Sequence, residues 1–432
     1  MTTLAMRTEA RQMRLCRNAV VLVDGVLNGQ PFKPACAELG LPIVGVYTIE
    51  RETLQRMAPA HADGDTASVY GSDPAVLFGQ IAELTGRVRA VVPATEPAVY
   101  CAALLADRCG VPGNPVRTAL ARRNKRAMRR LAAARGVRVP RHESVRDIRG
   151  IAAAATRIGL PVIVKPVTGA GSHNVFLVRS PAELLPIAAA NRRDLFGGWI
   201  DEWLVEEYVR GREFAVNTFS VAGHHRLIDV WEYRLPDTGD YDNPYWDFVQ
   251  ADDDDPDREA AVEVALQILD AFEIELGPCH VEIKVDKGEG VLIEIGARLP
   301  GAGIPTLWQH YGSFRPYRDT LAAYLEHNPT VLANPPRFAG RLGMCFIRND
   351  GPAGVLRRLD GLAEVRRMAG VVGVITRAAP GDPVPTTRSL GTELAKIQIC
   401  APSGRALTEL MTRVRATLAV EVVPVGWEEL PA

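Results

Sequence analysis

The sequence predicts an α/β protein, on three observations. Short apolar runs alternate with helical stretches through the first hundred residues, a lysine followed by small residues closes a further apolar run, and two glutamates sit on the strands of one apolar hairpin. The first pattern begins with the valines and leucine of 20–23, a helix over about 31–39 and a second apolar run over 42–47. A helix over about 73–84, a strand at 90–93 and an alanine-rich helix around 100–107 continue it. Continuous apolar strands separated by helices are the pattern of a parallel sheet. The turn at 24–29 lacks the Gly-x-Gly-x-x-Gly order, so a dinucleotide site is not expected there.

A second unit follows. The helix carrying Lys125 should end near Gly136, where Gly136 and Pro140 punctuate the chain. A smaller lobe then reads as helix 151–158, strand 161–166, loop 167–173, strand 175–178, helix 181–192 and strand 203–207. The acidic and aromatic segment 237–257 is longer than a usual connector and is expected to be a mobile loop beside the active site. An amphipathic helix over 258–272 leads to strands 281–285 and 291–295, joined through a turn at 286–290. A last unit from about 333 should hold strands near 342–347, 371–376 and 394–400 and a helix over 404–418. Residues 1–17 are polar and expected to be flexible.

Composition narrows the function. At 432 residues the chain suits two or three domains. Fifty Lys and Arg against 51 Asp and Glu leave a net charge of −1, without the broad basic footprint of a nucleic-acid binder. The local run Arg122, Arg123, Lys125, Arg126, Arg129 and Arg130 reads as a solvated helix face, Lys125 excepted. No apolar run approaches the ~20 residues that span a bilayer, and no signal-peptide pattern is present. Seven scattered cysteines, without metal-ligand spacing, read as free thiols in the cytoplasm.

The polar motifs carry the chemistry. Lys165 ends an apolar strand and precedes Thr168-Gly169-Ala170-Gly171-Ser172; glycines let backbone N–H groups approach phosphate oxygens, and the ammonium supplies compact charge. An ordinary hairpin turn is the plainer alternative, and the order is not that of a Walker loop. Glu206, Glu207, Val209 and Glu213 lie on and after a strand, readable also as solvated edge acids. Glu282 and Glu294 fall on the same face of the hairpin, and two neighbouring carboxylates call for a cation, either a hard metal ion or Lys284 or Arg298. His280 shares the strand face of Glu282, either orienting substrate or capping the core.

In order and spacing these segments, with Lys125 about 40 residues before Lys165, resemble the ATP-grasp superfamily, most closely over residues 116–310. The resemblance implies an N-terminal Rossmann-like parallel α/β domain (1–115), a two-lobed ATP-grasp domain (116–332, lid about 141–205) and a C-terminal α+β unit (333–432). Lys125 and Lys165 would contact ATP phosphates, with Gly169, Gly171 and Ser172 closing over them. Glu206 and the backbone of Glu207 and Val209 would face adenine, and Glu213 the ribose. Glu282 and Glu294 would hold Mg2+, or Mn2+. Arg298, in a stretch similar to the family's Arg-x-x-Gly, would act on the migrating phosphoryl or a substrate carboxylate, unless it only pairs with Glu294. Gly296 departs from the Asn that many members carry, which puts a second metal's coordination in question. The stretches around His280 and Arg298 are most like those of L-amino-acid ligases, which implies small-molecule amino-acid substrates, ATP consumption and formation of a dipeptide or amide. Rival readings are a carboxylating or purine-pathway enzyme, a non-catalytic ATP-binding module and, for assembly, a homodimer. Trp231, Tyr241, Tyr245, Trp246 and Asp247 are candidates for a substrate wall or for packing.

Overall fold

The all-apolar run Ala19–Val23 becomes an inner strand of a four-stranded parallel sheet in the computed structural model of the chain, which describes residues 17–185, 187, 192–236 and 245–424. Spatial order is Ala67–Tyr70, Ile43–Tyr47, Ala19–Val23, Val88–Pro93. The helix Pro74–Leu84 starts where Asp73 accepts from the Ala75 amide, and Ala98–Cys109 ends at left-handed Gly110. The half-buried edge strand Ala67–Tyr70 and the helix Arg51–Met57 were not foreseen in the sequence. Because the chain adds strands to one side of Ala19–Val23 and then to the other, the carboxyl ends of Ala19–Val23 and Val88–Pro93 form the switch point of the sheet, the place where open α/β sheets bind ligands. Thr95 and Glu96 follow directly into it.

A small antiparallel sheet comes next, in the order His142–Val145, Trp203–Glu207, Val162–Pro166, Phe176–Val178. Helix Ile148–Ile158 covers it through Ile151, Ala154, Ala155 and Ile158, the spacing of one buried helix face. Of the helix expected over 181–192, the described part begins as a short 3-10 turn, Pro181–Leu184, and residues 186 and 188–191 lie outside the described residues.

The largest sheet has eight antiparallel strands, ordered Glu289–Gly296, Leu276–Asp286, Arg212–Val221, His224–Arg234, Asp247–Gln250, Arg341–Ile347, Ala395–Ala401, Val371–Thr376. It runs without a break across residue 333. The segment read as a loop over 237–257 is thus corrected: Asp247–Gln250 is an interior strand, paired on both sides. Residues 237–244, like 1–16, lie outside the described residues. Helix Pro256–Ala271 packs Ala261, Ala265, Ile268 and Leu269 behind one end of the sheet, and Gly404–Thr417 covers the other. Strands Gly354–Asp360 and Ala419–Pro424, also unforeseen, complete a small sheet with Pro383–Val384. Among the described residues no helix is long and apolar enough to cross a membrane, and the described cysteines are free.

Candidate active site

The face of the large sheet opposite helix Pro256–Ala271 carries polar side chains in rows, because register partners on adjacent strands point the same way. One row is Tyr233, Glu213, Lys284; the next is Trp231, Ala215, Glu282, Glu294; the third is Asp229, Asn217, His280, Gly296. Glu282 and Glu294 are therefore direct cross-strand partners. This face and the small sheet enclose one cleft, and Lys125, Lys165, Gly169, Gly171, Ser172, Glu206, Glu207, Val209, Glu213, His280, Glu282, Glu294 and Arg298 all line it.

The lysines are positioned by backbone contacts and by carboxylates. Asn124 caps the helix Lys125–Ala134, and the Lys125 amide donates to the Val167 carbonyl, tying the helix start to the glycine loop. Lys125 Nζ reaches Glu294 Oε1 at 2.7 Å and the Gly169 carbonyl at 3.3 Å. Lys165 Nζ lies 2.6 Å from Glu206 Oε2, and Arg129 grips the same carboxylate with two N–H groups. Burial alone would raise the Glu206 pKa, but the charges of Arg129 and Lys165 outweigh it and bring it to about 2. For Lys165 burial dominates and lowers the pKa against the pull of Glu206, with Arg129 and Lys125 adding to the lowering.

The glycine loop folds back through left-handed Gly171 and Ser172. The Leu390 amide, from the loop before strand Ala395–Ala401, donates to the Gly171 carbonyl at 3.0 Å, and a Cβ on Gly171 would stand 3.3 Å from that of Leu390. Beyond the strand Trp203–Glu207, the Glu207 amide donates to the Arg141 carbonyl and its carboxylate pairs with Arg141, while the Val209 carbonyl accepts from Lys284 at 3.2 Å. Glu213, raised by burial and opposed first by Lys284, lies 3.7 Å from that lysine.

Arg298 pairs with a residue the sequence reading passed over. Its Nε donates to Glu96 Oε2 at 2.7 Å and its Nη1 to the Leu299 carbonyl. Burial opposes the Arg298 charge, yet Glu96 and then Glu294 raise its pKa. Gly296 makes room for this pair, since a Cβ there would meet Glu96 Oε2 at 2.9 Å. The position of Glu96, just past the end of Val88–Pro93 at the switch point of a parallel sheet, was the available signal.

Several expectations change. Arg122 and Arg129 are wholly buried rather than solvated, Arg129 bonding Glu206 and the Ile293 carbonyl, Arg122 bonding Thr118 and the Pro115 carbonyl. The Glu206 carboxylate is held by Arg129 and Lys165. Glu294 takes its cation from Lys125 and Arg298 its carboxylate from Glu96, in place of a simple pair between Glu294 and Lys284 or Arg298. Of the aromatic candidates, Tyr245 lines the cleft. Trp231 is fully buried against Asp229, Trp246 lies under Arg415, and Asp247 pairs with Arg415. Tyr241 lies outside the described residues.

Residues 158–306 match the family described as ATP-grasp domain, and residues 351–423 match the L-amino acid ligase C-terminal domain 2. Across most of its length the chain is 25% identical to the L-arginine-specific L-amino acid ligase of Bacillus subtilis, over 76% of this chain and 78% of the relative. It is 24% identical to dapdiamide A synthase of Enterobacter agglomerans, over 85% and 88%. The crystal structure of an L-amino acid ligase from Bacillus licheniformis superposes with a TM-score of 0.75 at 20% identity, covering 94% of this chain and 99% of that one, a likeness of fold. A carboxyaminoimidazole ribonucleotide synthase complexed with ATP shares the fold less closely, at a TM-score of 0.66 and 16% identity, over 93% of this chain and 99% of that one. The cleft falls largely within the first match and the loop that touches its glycines within the second, so both parts of the site lie in matched segments, and over most of its length the chain resembles ATP-dependent carboxylate-amine ligases with an ATP-grasp domain.

Proposed function

We propose that the cleft activates an amino-acid carboxylate with Mg-ATP and joins it to the amine of a second amino acid. The carboxylate oxygen attacks the γ-phosphorus and ADP leaves; the amine nitrogen then attacks the acyl-phosphate carbonyl, phosphate leaves, and the nitrogen loses its extra proton. The observation that carries this reading is the pairing of Glu282 with Glu294 in the same cleft as Lys165 and Arg298. Two hard carboxylates on adjacent strands suit Mg2+. Among the described residues no cluster of three or more acids, histidines or cysteines could hold an ion alone, so phosphate oxygens would complete its shell. Bound there, the ion would supply charge neutralisation between phosphates.

The chain's own residues would do the rest. Lys125 and Lys165 would receive the phosphates, and the loop at Gly169–Ser172 would lie over them. Arg298, held by Glu96, would offer its remaining donors to the acceptor carboxylate and the transferred phosphoryl. The lobe at about 141–205 would close to keep water from the acyl phosphate. The names of the relatives support amino acids as substrates, and the scattered free thiols support a cytoplasmic setting. The test is ADP release over a matrix of amino-acid pairs, with mass spectrometry of the products. Release that requires amino acids and matches amide formed is expected; release that requires bicarbonate instead would overturn the reading.

A further inference from the structure

One row of the large sheet forms a closed chain of buried polar groups ending at His280. Asp229 accepts four N–H groups: Trp231 Nε1 at 2.7 Å, Trp308 Nε1 at 2.7 Å and Gln250 Nε2 at 2.8 Å on Oδ2, and Asn217 Nδ2 at 2.8 Å on Oδ1. Asn217 Oδ1 faces His280 Nδ1 at 2.7 Å, and His280 Nε2 lies 3.2 Å from the Tyr233 hydroxyl and 3.4 Å from Glu282 Oε1. Asp229, Asn217, Gln250, Trp231, Trp308 and His280 are all buried.

Each orientation in this chain is dictated by its neighbour. The indoles can only donate. Gln250 accepts the Leu342 amide through Oε1, which turns its Nε2 toward Asp229. Burial raises the Asp229 pKa and its four donors oppose this; Oδ2 faces three groups that only donate, and with Asn217 as placed Oδ1 faces a fourth, so the arrangement is that of the carboxylate, and a proton on Oδ1 would require Asn217 to turn over. A carboxylate at 229 obliges Asn217 to present Nδ2 to it and Oδ1 to the imidazole. Facing a carbonyl oxygen, His280 Nδ1 must carry the proton, and in the neutral ring Nε2 is left as an acceptor. His280 lines the cleft, and Nε2 is the nitrogen on the side of Glu282 and the Tyr233 hydroxyl, both of which also line it.

We propose that Asp229 and Asn217 are positioning residues that hold His280 as the Nδ1–H tautomer, so that its Nε2 accepts an N–H of the amine substrate at the ligation step. The role given to Nε2 rests on the ligase reading above; the tautomer does not.

The test uses the full chain with 15N-labelled histidine. The ring nitrogens of His280 are assigned by their loss in His280→Gln, and kinetics are measured beside them. Asp229→Asn is nearly isosteric and reverses the logic. Its new NH2 is tolerated only toward Asn217, since the other oxygen position faces three donors. Asn217 must then flip and present its own NH2 to Nδ1, which forces the Nε2–H tautomer. The wild type should show protonated Nδ1 and bare Nε2. Asp229→Asn should show the opposite, with kcat for ligation down about ten-fold or more and KM for ATP within about two-fold, as for an interaction made in the chemical step. Asn217→Leu, which removes the Nδ1 acceptor, should also lose the Nδ1–H preference and carries the test if Asp229→Asn does not fold. An unchanged tautomer in the variants, or a reversed tautomer with unchanged kcat, overturns the proposal. A wild type with Nδ1–H but no amino-acid-dependent ADP release would remove the ligase reading and leave the relay standing.

Discussion

Two buried cations, Lys165 and Arg129, share the Glu206 carboxylate, and this arrangement dictates how the site responds to acid. Unfolded, Glu206 would titrate near its ordinary value of 4.5; folded, it titrates at about 2. A depressed carboxylate stabilises the fold fully above the unfolded value, and the contribution disappears as pH falls through the window between the two. That contribution is on the order of a few kcal/mol. Glu206→Gln should therefore unfold at lower urea than wild type at pH 7, and the gap should shrink as pH drops from about 4.5 toward 2. A gap that is constant with pH would show that Glu206 does not carry this linkage. Arg298 is predicted to act differently. Glu96 orients its fork, so Arg298→Lys keeps the charge but loses the planar geometry, and kcat should fall about ten-fold or more with ATP affinity close to wild type. Lost ATP affinity with intact turnover would make Arg298 a nucleotide-binding residue. At this scale the sequence exposed Lys165, Glu282 and Glu294, whose neighbours are apolar or small. Arg129 and Glu96 stayed hidden because each is buried by a partner far along the chain, Glu206 and Arg298 respectively.

Among elements, the hairpin holding Glu282 and Glu294 was legible because both strands and their turn are contiguous and alternate cleanly. Strand Asp247–Gln250 was not, since its end residues are polar and their partners, Arg415 and Asp229, are distant in sequence. The loop before Ala395–Ala401 gave no signal of its own either, yet it bonds the glycine loop through Leu390. It is braced internally: Glu393 accepts the Gly391 amide at 2.6 Å, Thr392 bonds the Ser389 carbonyl, and Gly391 has φ +92°. A β-branched residue is strongly disfavoured at that φ, so Gly391→Val should displace Leu390 and free the Gly171 carbonyl. If that bond holds the glycine loop in place for phosphate, KM for ATP should rise by roughly two- to ten-fold, the equivalent of one ordinary hydrogen bond. Steady-state kinetics at saturating amino acids checks this, and an unchanged KM would make the contact incidental.

In the whole molecule the cleft lies between two sheets, with Lys165 from the small one and Glu282 from the large one, while Glu96, just past the parallel sheet, braces it from behind through Arg298. The alternation of apolar strands and helices announced the parallel sheet. The pairing of 212–250 with 341–401 into one eight-stranded sheet had no local signature, because antiparallel partners far apart in sequence carry no common periodicity. A ligand that touches both sheets binds only the assembled fold, so nucleotide should raise the melting temperature by mass action, through about 2.7 kcal/mol of added stability at a hundred-fold excess over Kd. Nucleotide and Mg2+ should contribute separately. Glu282→Gln is the cleaner variant for dividing them, since Glu294 also anchors Lys125 and its loss would disturb the phosphate-facing lysine itself. With a non-hydrolysable ATP analogue, wild type should gain one increment from nucleotide alone and a second on adding Mg2+. Glu282→Gln should keep the first and lose the second, because one fewer carboxylate charge weakens the ion while both lysines stay in place. Retention of the full Mg2+ increment in calorimetry would remove Glu282 from the metal's coordination, and loss of both increments would show that its carboxylate supports the nucleotide rather than the ion.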